Sequence, residues 1–101
     1  MVSLLIIGSG GREHAFTWKA SQSDLVDKIF VAPGNAGTSL ESKAVNIEIS
    51  PNDIEGLVSF SKKENIGLVI VGPEDPLVDG ITDAFMKAGI NCFGPQSIGA
   101  Q

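Results

Sequence analysis

Three short stretches of this 101-residue chain gather residue types suited to anion and sugar chemistry. Gly8-Ser9-Gly10-Gly11-Arg12-Glu13-His14 follows an apolar run, and Pro33-Gly34-Asn35-Ala36-Gly37 follows a second. Gly72-Pro73-Glu74-Asp75-Pro76 follows the most apolar run of all. Without a Cβ in the way, successive backbone N–H groups at Gly8, Gly10 and Gly11 can converge on an anion. A helix starting there adds partial positive charge. Arg12 offers a cation to the same anion, or pairs with Glu13 or with solvent. Glu74, in a loop stiffened by prolines, can accept hydrogen bonds from sugar hydroxyls. Asp75, directly before Pro76, suits the negative charge favoured at a helix start.

Each stretch also has a plainer reading. The glycines after Ile7 equally suit a tight strand-to-helix turn, and spacing alone leaves turn and ligand site both open. The dinucleotide fingerprint requires a third glycine where Glu13 stands, and an acid at the end of the second strand, where Ala32-Pro33 stands. The triphosphate loop fails too, since no Gly-Lys-Ser/Thr follows. Asn35 and Gly37 alone fit an ordinary connecting loop. His14 suits a structural role in the first turns of a helix. Ser9 and His14 make no defined nucleophile–base pair, so no catalytic residue and no metal ligand is assigned.

The elements that must position these loops alternate between strand and helix. Val2–Ile7 reads as a strand buried on both faces. A helix is expected from Gly11 or Arg12 to about Ser21, with Ala15, Trp18 and Ala20 among its less polar members. Lys28–Ala32 and Val45–Ile49 read as the second and third strands. Ser50-Pro51-Asn52-Asp53 predicts a helix start with Ser50 as N-cap and Pro51 in the first helical position. Ile54, Leu57 and Val58 then share one stripe, and Lys62 and Lys63 fall in the last turn. Gly67–Val71 is the clearest strand. A third helix is expected from about Pro76 to Ala88, with Leu77, Ile81, Ala84, Phe85 and Ala88 on one face and Gly89 as its stop. Asn91–Phe93 forms a short last strand.

This alternation predicts an α/β domain with an open parallel sheet and helices on both faces. Ligands of such sheets bind at the carboxyl ends of the strands, where all three loops fall. Val2–Ile7 and Gly67–Val71, nearly all apolar, are expected to be neighbouring central strands.

Composition narrows the partners. A hydrophobic share of 43% against 19% charged residues suits one globular domain. A formal net charge of −5 with no basic run argues against nucleic acid and anionic membrane surfaces as partners. No stretch approaches the roughly 18 apolar residues of a membrane span. The N-terminus lacks a secretory signal pattern. The single cysteine, Cys92, fits a reducing compartment, and a cytoplasmic protein is expected. Ser97–Gln101 reads as the start of a further element, as if one domain had been cut from a longer protein.

Gly8-Ser9-Gly10-Gly11-Arg12-Glu13-His14-Ala15, Val31-Ala32-Pro33-Gly34-Asn35-Ala36-Gly37-Thr38 and Val71-Gly72-Pro73-Glu74-Asp75-Pro76-Leu77 together resemble the phosphoribosylamine–glycine ligase (glycinamide ribonucleotide synthetase) family. Cys92-Phe93-Gly94-Pro95 and Ala100-Gln101 match in style, so the resemblance covers the whole chain. In many members an alanine stands where this chain has Asp75. The resemblance implies that residues 1–101 form an N-terminal, Rossmann-like pre-ATP-grasp domain that binds no nicotinamide. The family reaction joins glycine to 5-phosphoribosylamine as ATP becomes ADP and phosphate, through a glycyl phosphate, in the second step of de novo purine synthesis. ATP and Mg2+ (or Mn2+) would be held by ATP-grasp domains beyond Gln101, leaving the 101-residue fragment inactive. Matched by motif, Gly10, Gly11 and Arg12 would line the substrate pocket, Asn35 and Gly37 would close one wall, and Glu74 would meet the ribose. In some members the same domain opens a multifunctional protein that also carries aminoimidazole ribonucleotide synthetase and a formyltransferase. Alternatives are another ATP-grasp purine ligase, carboxylating or formylating, and a non-catalytic module that binds a nucleotide or sugar phosphate.

Overall fold

The apolar run at the N-terminus forms strand β1 (Val2–Gly8), in which Leu4 through Gly8 are all buried. The computed structural model describes residues 2–8, 11–34, 36–39, 43–50, 52–72 and 77–93. After β1 come α1 (Gly11–Ser21), β2 (Val26–Pro33), a one-turn α2 (Ala36–Ser39) and β3 (Ala44–Asn46). Then follow α3 (Ile54–Lys63), β4 (Leu68–Val71), α4 (Leu77–Lys87) and β5 (Cys92–Phe93). The five strands make one sheet in the order β3-β2-β1-β4-β5, every pair parallel. The result is the expected Rossmann-like open α/β sheet. As expected, β1 and β4 are neighbours, and neither lies at an edge. The edge strands β3 and β5 are the shortest, which limits the unpaired backbone presented to other chains.

Alternate residues of the central strands feed two cores. Leu5, Ile7, Phe30, Ala32, Val69 and Val71 pack with Leu57 of α3 and with Ile81 and Phe85 of α4. Leu4, Ile6, Val26, Ile29 and Val31 pack on the opposite face, with Ala20 of α1 against them. The stripe Ile54, Leu57 and Val58 faces the first core as its spacing predicts, and Phe60 meets Phe30 edge-to-face at 5.0 Å.

On α1, by contrast, Thr17 and Ser21 are buried while Ala15 and Trp18 are exposed. Small hydroxyl residues can be buried on a helix because their donors are satisfied locally; the Ser21 hydroxyl donates to the carbonyl of Trp18 at 2.8 Å.

Both helices on the first face stop in the same way. Asn65 (φ 54) and Gly89 (φ 78) adopt left-handed conformations just past α3 and α4. The next amides, Ile66 and Ile90, donate back to Ser61 and Phe85 at 3.0 and 2.9 Å, the six-to-one bond of a Schellman stop. Gly89 is thus the stop the sequence implies.

Strand β2 begins at Val26, two residues before the expected Lys28, because Val26 packs in the second core. Two further boundaries differ from expectation in ways that bear on packing. The third strand ends at Asn46 rather than Ile49. Ile47 makes a last ladder bond to the Val31 carbonyl (2.8 Å), and Ile49 then bonds back to Ile47, turning the chain. Ile47 and Ile49 pack against the first core beneath α3, so burial rather than pairing explains their hydrophobicity. The helix after them is capped by Asp53 instead of Ser50, and α3 begins at Ile54. Asp53 Oδ1 accepts from the Gly56 amide at 3.0 Å, whereas the Ser50 hydroxyl accepts from the Asn52 amide in a turn one step earlier. Pro51 and Pro76, expected at the helix starts, lie outside the described residues.

The two candidate caps give opposite expectations. Asp53→Ala should cost about 1 kcal/mol in urea-induced unfolding, whereas Ser50→Ala should cost only a few tenths. Equal losses would contradict this assignment of the cap.

Burial of Cys92 pushes its thiol up from 9.0 to about 12. Folding therefore favours the neutral thiol. The associated stability is complete below pH 9 and is lost as pH rises from about 9 toward about 12. Cys92 should resist iodoacetamide at pH 8 in the native protein and react once urea unfolds it, as mass spectrometry would record.

Candidate functional site at the carboxyl edge of the sheet

The order β3-β2-β1-β4-β5 reverses direction between β1 and β4. In an open parallel sheet, the crevice at that reversal is where ligands bind. The register makes the edge level. Ile7 stands opposite both Ala32 of β2 and Val71 of β4, and Gly8 stands opposite Pro33. Two further backbone bonds tie the strand ends together: Gly34 N–H donates to the Gly8 carbonyl at 3.0 Å, and Gly72 N–H donates to the Ile7 carbonyl at 2.8 Å. The three glycine-bearing loops thus leave the sheet side by side.

Helix α1 begins three residues after the last residue of β1, at Gly11, so its N-terminus lies at this same edge. The N-terminus of α4 follows β4 to the edge in the same way. The positive ends of two eleven-residue helices thus flank the reversal, on opposite faces of the sheet. This placement offsets locally the chain's net charge of −5.

The sequence-predicted residues distribute as follows. Gly11 and Arg12 form the first turn of α1, and His14 follows, half-buried, in the same helix. Gly37 lies within α2. Gly10, Asn35 and Glu74 lie outside the described residues. The structure places Gly11 and Arg12 at the start of the helix that follows β1 and Gly37 in the helix that follows β2, and side-chain geometry is established around the second loop alone.

That geometry involves residues the sequence reading passed over. Gly34 has φ 77, a conformation that favours glycine. A Cβ there would collide with the Asn46 carboxamide (its Cγ at 2.6 Å) and with Thr38 Oγ1 at 2.8 Å. Thr38 is fully buried and donates its hydroxyl to Asn46 Oδ1 at 2.8 Å. A polar Asn closing an otherwise apolar strand was the signal available in the sequence, but its partner lies eight residues away across a loop.

The chain matches the family described as phosphoribosylglycinamide synthetase, N domain, over residues 2–101. It is 59% identical over 100 residues to a phosphoribosylamine–glycine ligase of Haemophilus influenzae, covering 99% of this chain and 23% of the relative. Relatives of the same name from Allochromatium vinosum and Yersinia pestis are 57% and 58% identical, with the same coverage. The chain thus spans about a quarter of the length of the curated relatives it matches. Motifs, parallel sheet and family match agree, and the chain belongs to the phosphoribosylglycinamide synthetase N-domain family.

Proposed function

We propose that this domain holds the sugar-phosphate substrate of a ligase that joins glycine to 5-phosphoribosylamine with hydrolysis of ATP to ADP and phosphate, a step of de novo purine synthesis. The observation that carries the reading is the level carboxyl edge, where β2, β1 and β4 end side by side across the β1–β4 reversal. Relatives that align with 99% of this chain bear the ligase name, which supplies the substrate class.

In this reading the amides of Gly10 and Gly11 and the Arg12 guanidinium hold an anionic group of phosphoribosylamine at the N-terminus of α1. Helix N-termini suit such groups because their first N–H groups have no partner within the helix. Asn35 and Gly37 close one wall. Glu74 accepts from the ribose hydroxyls, fixing the sugar so that its amine points out of the crevice. The domain's contribution is orientation, which turns an encounter between two substrates into a reaction within one complex.

ATP and Mg2+ (or Mn2+) are assigned to ATP-grasp domains of the parent. Among the described residues no three His, Cys, Asp or Glu side chains are grouped to hold a metal ion, and the loop after β1 lacks a phosphate-binding lysine. When bound in the parent, ATP supplies the phosphoryl group that activates glycine. In some parents the domain would open a multifunctional purine enzyme. A cytoplasmic setting belongs to the same reading and rests on the lone cysteine. No helix among the described residues is long and apolar enough to cross a membrane.

Glu74→Gln in the full-length enzyme tests the ribose contact, because it keeps size and removes charge. Loss of a charge-assisted bond should cost about 1.5–3 kcal/mol, or roughly ten- to a hundredfold in kcat/KM for phosphoribosylamine. Unchanged efficiency would sink the assignment. The 101-residue chain alone should release no ADP in the presence of glycine, phosphoribosylamine and ATP; turnover by this chain would refute the division of labour.

A further inference from the structure

We infer that Thr38 and Asn46 form a clamp that holds the turn at Gly34 and helix α2 in their substrate-competent shape, making both positioning residues for the sugar-phosphate site. The inference rests on the substrate reading above, and adds to it two residues outside the motif positions assigned to ligand contact.

The clamp joins three nearby positions, Gly34, Thr38 and Asn46, to the end of β1 at Gly8. The Thr38 hydroxyl, on the one-turn helix α2, donates to Asn46 Oδ1 at the end of β3, at 2.8 Å. The two side chains fill the space where a Cβ of Gly34 would stand, so they close directly against the loop backbone. Gly34 in turn donates its N–H to the carbonyl of Gly8, the last residue of β1 and the first of the glycine loop. The strand-end asparagine is thereby connected, through one side-chain bond, one packed glycine and one backbone bond, to the segment that precedes Gly10.

Burial of Thr38 gives the bond its leverage. Water is kept from the Thr38–Asn46 contact, so loop shapes that keep the two groups together are favoured over those that separate them. The helix itself has only four residues, Ala36–Ser39, and a single turn does not persist on its own. Without the clamp, the loop must be ordered when substrate arrives, and apparent affinity falls by the fraction of time the competent shape is populated. That cost falls on binding. The group transfer, made by other parts of the enzyme, is unaffected.

The test uses Thr38→Val, which keeps shape and removes the donor, and Thr38→Ser, which keeps the hydroxyl, both in the full-length enzyme. Asn46→Leu removes the acceptor from the other side. Thr38→Val should raise KM for phosphoribosylamine roughly tenfold with kcat within about twofold. KM values for glycine and ATP should be unchanged, and Thr38→Ser should stay near wild type. The Thr38→Val/Asn46→Leu double variant should raise KM by less than the product of the two single effects, since the single variants share the Thr38–Asn46 bond. If Thr38→Val does not fold, Asn46→Ala, which leaves space instead of filling it, is read by the same KM and kcat criteria. A lower melting temperature with unchanged KM would overturn the inference, leaving the pair a structural contact. Glu74→Gln separates the two levels of the argument. If it lowers kcat/KM while neither clamp variant moves KM, the clamp fails and the site stands. If it and the clamp variants all leave phosphoribosylamine kinetics unchanged, the site reading falls and the clamp falls with it.

Discussion

Strand β1 is paired along both edges and buried on both faces, and most of the remaining structure follows from that. Its backbone groups find partners in β2 on one side and β4 on the other. Its side chains supply Leu5 and Ile7 to one core and Leu4 and Ile6 to the other. A strand so placed tolerates no polar side chain over its inner length, which is why Leu4–Ile7 is uniformly aliphatic. It also ties the two layers of helices together, since α1 and the α3–α4 pair pack on opposite sides of the same four residues. A one-residue slip of β1 would exchange its contributions to the two cores and misalign both neighbours.

The same pairing sets the geometry of the carboxyl edge. With Ile7 opposite both Ala32 and Val71, the strands finish at one level, and each loop starts from an anchored backbone. Gly34 and Gly72 extend the ladder by one bond each beyond the regular sheet, so the anchoring reaches into the loops. Chemistry at such an edge can vary by loop sequence without altering the strands below. The glycines then have distinct duties: Gly34 accommodates a left-handed backbone against Asn46 and Thr38, whereas Gly89 simply ends a helix over open space.

Much of this was legible in the chain because local signals and burial agree. Ile54, Leu57 and Val58 announce a helix face, Gly89 its counterpart's stop, and the aliphatic runs of β1 and β4 their central places. Legibility failed where two explanations of hydrophobicity compete. Ile47 and Ile49 look like strand residues but pack as a covering loop. Likewise Ser50 and Asp53 are both good caps by composition, and only the three-dimensional path of the chain gives the cap to Asp53. Thr17 and Ser21 are buried although polar, and the local bond that permits this at Ser21 is invisible in a hydropathy pattern. The strand–helix alternation gave the parallel sheet, yet the Thr38–Asn46 contact depends on how β3 and α2 meet, which no local pattern encodes.

The central place of β1 has a consequence for synthesis of the chain. Its partner β2 is available early, but its other partner is not: Leu4 pairs with Leu68, a separation of 64 residues. Until that segment leaves the ribosome, the nascent domain presents the unpaired edge of its central strand. An open edge of this kind is a template for association with other chains. The β1–β4 pairing therefore closes only after the β2 and β3 segments have been made, and nascent chains stalled before β4 are the species most in need of a chaperone.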